Sequence, residues 1–150
     1  KDYNFATERS KYLSNLGIPL NTDSTLKGQT VFLAERCAEL MHENIITDRT
    51  IFDVMAFTQN AKSIAYQDKD AFEEYAKEFI REYDYIFYIS PHGLPIEDNG
   101  VRETDEHYRD IIDFSITTFI KRYSHRAKTV EKISGSTEER IQQILNITNL

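Results

Sequence analysis

Two acid–arginine neighbours, Glu8-Arg9 and Asp48-Arg49, are the residues best suited to chemistry, and each follows a short apolar run. A carboxylate holds Mg²⁺ through water or takes a hydroxyl proton, while arginine grips phosphate oxygens bidentately. A third apolar run ends in the small-residue turn Ser134-Gly135-Ser136-Thr137, which opens a helix. Together these strand ends suit a site for a metal and phosphates, with Glu8, Arg9 and Asp53 as substrate-binding candidates. Structural readings stand beside these. Asp48 also suits the N-cap of a helix starting near Thr50, Asp53 a dipole-compensating acid in its first turn, and Glu8-Arg9 a local ion pair.

Between Pro91 and Arg102 lies a proline- and glycine-bearing segment that leads into a long helical pattern carrying Arg109. Arg102 and Arg109 are spaced by about two helical turns and share a face if the helix extends back that far. A lid over about 91–110 that brings these arginines onto a transferring phosphoryl group has this form; a surface loop with solvated arginines is the alternative. His92, His107 and His125 lack a metal-ligand spacing with one another or with Cys37, which argues against zinc. Cys37, within an apolar helical stretch, reads as a small buried residue rather than a nucleophile.

Four strands and five helices must position these groups. The strands are Tyr3–Ala6, Ile45–Thr47, Tyr85–Ile89 and Thr129–Ile133, short and without strict alternation in the middle two, as for strands covered on both faces. Helical spacing predicts Thr30–Glu43, with Val31, Ala34, Ala38 and Met41 on one stripe, then Phe52–Ala65 and Ala71–Glu82. Thr104–Tyr123 follows, with Tyr108, Ile111, Ile112, Ser115, Ile116 and Phe119 inward. Ser136–Ile147 closes the chain with a Ser136/Glu139 capping box. Strands alternating with helices predict an α/β fold with a three-layer parallel sheet flanked by helices. Ligands then bind beyond the carboxyl ends of the strands. Asn21, Gln29, Phe57 and Tyr66 are possible lining residues.

Composition narrows the function. The 150 residues suit a single domain, 1–150, with an ordinary globular balance of 40% hydrophobic and 29% charged residues. A net charge of −7 speaks against long nucleic acid as a partner, which needs a basic face. No apolar run approaches the ~20 residues of a membrane span, and one cysteine fits a reducing compartment, so a soluble cytoplasmic protein is expected.

Three segments carry a family resemblance. IITDRTIFDVMAFT resembles the third-strand motif of small P-loop kinases, in which an Asp-Arg pair ends a buried strand. YDYIFYISPHGLPIEDNGVRETDEHYRDIID is similar to the fourth strand and lid of nicotinamide-riboside-kinase-like proteins and the related AAA-type family. ISGSTEERIQQIL resembles the fifth strand and the turn that packs against adenine, and FATERSKYL the second-strand end that faces the acceptor. The resemblance implies ATP- and Mg²⁺-dependent phosphoryl transfer to a nucleoside, nucleotide or related ribosyl compound. It puts Asp48 near Mg²⁺ and the γ-phosphate, and Arg49 on phosphate or acceptor. Glu8 becomes the candidate base or hydroxyl ligand with Arg9 beside it, Arg102 and Arg109 lid arginines, and Gly135-Ser136 the adenine lining.

One departure is large. The G-x-x-x-x-G-K-[ST] loop is absent, for no glycine, at 17, 28, 93, 100 or 135, precedes a lysine. The family places that loop and the central first strand ahead of the segment with which this sequence opens, so an N-terminally incomplete kinase domain is expected. A non-catalytic nucleotide-binding or assembly module, and an ATPase without an acceptor, are the competing functions.

Overall fold

The computed structural model describes residues 2–96, 100 and 104–150. In chain order the elements are β1 (Asn4–Ala6), α1 (Ser10–Asn15), α2 (Leu26–Glu39), β2 (Ile45–Thr47) and α3 (Ile51–Gln59). They continue with α4 (Tyr66–Ala76), β3 (Tyr85–Ile89), α5 (Glu106–Tyr123), β4 (Thr129–Ile133) and α6 (Thr137–Thr148). The fold is α/β, and its four strands fall where the apolar runs predict them.

The sheet differs from the expectation. Instead of one continuous sheet there are two parallel pairs: β1 with β2, in the register Phe5 to Ile46, and β3 with β4, from Tyr85 opposite Thr129 to Ile89 opposite Ile133. The reason is that β2 and β3 each hydrogen-bond to a single strand among the described residues, and nothing there bridges them. Both pairs are parallel because helices carry the chain back between their strands.

α3 is the hub. Its sequence is apolar almost all round, the pattern of a helix enclosed on every side, and Ile51, Phe52, Val54, Met55, Ala56 and Thr58 are all buried. It packs between α2, α4 and α5, in one core with Leu33, Phe72, Ile80, Ile86, Ile112 and Phe119. Tyr83 fastens its start, for the Tyr83 hydroxyl accepts the Ile51 N–H at 3.2 Å. That donor would otherwise be one of the unsatisfied groups of a helix N-terminus.

α2 starts earlier than predicted because Thr25 caps it, accepting the Gly28 N–H at 3.0 Å. Its buried stripe is Gly28, Gln29, Leu33 and Arg36; Ala34, Ala38 and Met41 are exposed, Met41 at 85%. Gly28 sits so close to Ile18 that a Cβ would lie 3.1 Å from its side chain. The segment predicted as Ala71–Glu82 begins earlier, at Tyr66, and tightens into a 3₁₀ turn over Lys77–Glu82. α3 ends at Gln59, short of Ala65. The Ser136/Glu139 capping box forms as predicted, with Glu139 Oε2 accepting the Ser136 N–H at 2.7 Å. Among the described residues no helix is long and apolar enough to cross a membrane.

Candidate functional site

A cavity of about 310 Å³ opens where the chain leaves β1 and β2. α2 supplies Gln29, Phe32 and Arg36, and α3 supplies Asp53, Val54 and Phe57. The opposite wall is the segment after β3, with Pro91 and Leu94 to Ile96, backed by Tyr108, Arg109 and Ile112 of α5. Glu8 and Arg49 enter from the two strand ends. The enclosure is largely apolar with a few convergent charges, the usual composition of a small-molecule pocket.

Four residues singled out by the sequence therefore meet: Glu8, Arg49, Asp53 and Arg109. Glu8 Oε1 accepts the Ser10 N–H at 2.6 Å and also the Ser10 hydroxyl, at the start of α1. Asp53 Oδ2 accepts the Thr50 N–H at 2.8 Å, completing a capping box in which Thr50 Oγ1 accepts the Phe52 N–H at 3.1 Å. Asp53 thus serves the helix end and the cavity together. Arg109 donates from Nη1 to the Leu94 carbonyl at 2.8 Å, which ties the facing wall to α5.

Others lie elsewhere. Arg9 turns away to pair with Glu35 at 3.4 Å and to stack over the Tyr12 ring, so its ion pair is with Glu35 and not with Glu8. Asp48 is exposed and does not line the cavity. Its N–H donates to the Ala6 carbonyl at 3.0 Å, extending the β1–β2 ladder, and Thr50 takes the cap that Asp48 was a candidate for. Gly135 edges a separate depression after β4, with Ser134 and Glu139, whereas Ser136 caps α6 and does not line it. Gly135 has φ +97° and a Cβ there would lie 2.3 Å from Glu139 Oε2, so the turn requires glycine. Arg102 lies outside the described residues. Of the possible lining residues, Asn21, Gln29 and Phe57 line the cavity while Tyr66 is exposed.

Arg36 escaped the sequence reading. It is 3% exposed; Nη2 pairs with Glu39 Oε1 at 2.6 Å and Nη1 donates to the Asp48 carbonyl at 3.4 Å. Burial raises the pKa of Glu39, and the charge of Arg36 opposes that shift. The signal was Thr25: once it is taken as the cap, Gln29, Phe32 and Arg36 fall at three- and four-residue spacing on one face. A second missed group flanks the β3 end. The Tyr88 hydroxyl donates to Asp113 Oδ1 at 2.5 Å, and His92 Nε2 lies 3.7 Å from Asp113 Oδ2. Burial and the Asp113 carboxylate push the Tyr88 hydroxyl up to about 12.

No family model, curated protein or solved structure matches the chain.

Among the described residues no group of three acidic, histidine or cysteine side chains could hold a metal by itself. The lone exposed carboxylate of Asp48 fits only an ion that arrives with phosphates and keeps most of its waters. At the depression after β4, Glu139 is engaged by the Ser136 N–H, and the Gln143 amide bonds Ser134 through both its oxygen and its nitrogen. A flat ligand there would meet backbone and side-chain stems rather than free polar groups.

Proposed function

We propose that the chain belongs to an ATP- and Mg²⁺-dependent phosphotransferase whose acceptor, a nucleoside, nucleotide or related ribosyl compound, occupies the cavity beside β1 and β2. The observation that carries this reading is the meeting of Glu8 and Arg49, each just beyond the carboxyl end of a parallel strand, with Arg109 across one largely apolar enclosure. Glu8 has one oxygen engaged by Ser10 and one left to orient an acceptor hydroxyl and take its proton. Arg49 and Arg109 supply positive charge for phosphoryl oxygens. Asp48 would hold the waters of Mg²⁺, which neutralises phosphate charge, and the Gly135-Ser136 turn would receive adenine, as the resemblance implies. The finer fold reading goes with this: a three-layer P-loop arrangement in which a further parallel strand joins the free edges of β2 and β3. The single cysteine suits a cytoplasmic setting.

A second reading, a nucleotide-binding module without turnover, is favoured by the absence of any Gly-Lys step and by the place of Asp48 outside the cavity. Calorimetric titration with nucleosides and their monophosphates, followed by ADP release from ATP–Mg²⁺ by the full-length gene product with the best ligand, separates the two. Binding with acceptor-dependent ADP release, abolished in a folded Asp48→Asn variant, supports the phosphotransferase. Binding without turnover supports the module, and no binding by any acceptor contradicts both.

A further inference from the structure

Two polar groups facing the cavity have no partner of their own. The Arg49 guanidinium makes no hydrogen bond and no ion pair among the described residues, although the chain carries 25 acidic residues. Its guanidinium lies over the Phe57 ring, 5.2 Å from the centroid, and half-buried. Arg9, Arg36, Arg122 and Arg126 each have a carboxylate within 3.4 Å. The Arg49 backbone has φ +84°, where glycine would sit with less strain, and the Thr47 hydroxyl holds its carbonyl at 3.0 Å. Arg36 lies next to this turn, bonded to the Asp48 carbonyl, and its buried Nε–H has no partner among the described residues. At the other end of the same helix face, Gln29 is 4% exposed, and its side-chain amide makes no hydrogen bond among the described residues.

Gln29 and Arg36 are two turns apart, about 10 Å along the helix axis, with Phe32 between them on the cavity wall. We infer that the ligand is elongated and amphipathic: an oxyanion held by Arg49 and Arg36, an apolar middle against Phe32 and Phe57, and a hydrogen-bonding ring read by Gln29. A nucleoside monophosphate has this shape and charge; a bare nucleoside leaves the arginine end empty. The two carboxylates of the cavity do not fill that role. Glu8 is drawn to Ser10 and Asp53 to Thr50, so neither pairs with Arg49. This inference rests on the acceptor-pocket reading and selects the nucleotide within it.

The test is calorimetry on the full chain with AMP, GMP, CMP and UMP, the matching nucleosides and inorganic phosphate. At least one monophosphate is expected to bind about tenfold or more tightly than its nucleoside, the scale of charge-assisted hydrogen bonds. Arg49→Gln should bring that monophosphate down to the nucleoside's affinity, and Gln29→Leu should weaken nucleoside and monophosphate by the same factor. Arg49→Gly relieves the positive φ and stands in if the glutamine variant folds poorly. Equal affinities of nucleoside and monophosphate, or indifference to Arg49 substitution, would overturn the nucleotide assignment and leave the acceptor pocket standing. Phosphate binding with silence from every nucleotide would overturn the ring and keep only the oxyanion end. Silence from the whole panel would overturn the pocket reading as well.

Discussion

The two strand pairs live in unlike surroundings. β3 and β4 pair over five residues each, with Ile86 and Ile133 buried and α5 and α6 nearby. β1 and β2 pair over three residues each, and the facing partners Phe5 and Ile46 stay 69% and 49% exposed. Parallel pairs are normally covered on both faces, so β1–β2 contributes little burial of its own. Yet Glu8 and Arg49 follow these weaker strands. The scaffold half is built for packing, and the half that carries the charged side chains spends conformational energy on placing them.

Core truncation gives the largest contrast. Phe52→Ala at the α3 hub should cost about 3–5 kcal/mol, whereas Phe5→Ala on β1 should stay within about 0.5 kcal/mol, both read from urea unfolding. Equal losses would erase the distinction. Next come the two capping boxes. Thr50→Ala and Ser136→Ala should each cost about 1 kcal/mol, but only the first should also disturb ligand binding, because Asp53 faces the cavity.

The strands were legible because each is a compact apolar run with a turn at its end, and the Ser136 box was legible because its partners are three residues apart. The separation of the sheet into two pairs was not, since strand order is set by long-range pairing that a linear pattern does not record. α2 was misplaced for a definite reason. Alanine and methionine at helical spacing resemble a core stripe, while the stripe that packs contains Gln29 and Arg36, polar residues that a burial rule assigns to the surface. At the site, the Glu8, Arg49, Asp53 and Arg109 grouping followed from strand ends and the approach of α5. The outward turn of Arg9 did not follow, because Glu35 competes for it from another element.

Arg49→Gly sharpens the same contrast from the opposite side. Relief of the left-handed backbone should stabilise the chain by up to about 1 kcal/mol while ligand binding falls. A loss of stability would mean that the side chain packs for the fold. The smallest effect is at high pH. The Tyr88 hydroxyl, pushed up to about 12, keeps its proton after an unfolded tyrosine, near 10, has lost its own. Stability is therefore fully present below about pH 10 and declines as pH rises from about 10 to 12. Tyr88→Phe should flatten part of that decline in a pH series of unfolding curves. Tyr83 and Tyr123, both raised by burial, and Lys128, raised by its hydrogen bond with Asp84, add to the same decline.

The most direct measurement is amide and methyl NMR of the chain titrated with the nucleoside and nucleotide panel. Shifts concentrated at Gln29, Arg49, Val54, Phe57 and Ile112 are the predicted result. Shifts confined to Gly135 and its neighbours, or none at all, would contradict a ligand site at the ends of β1 and β2.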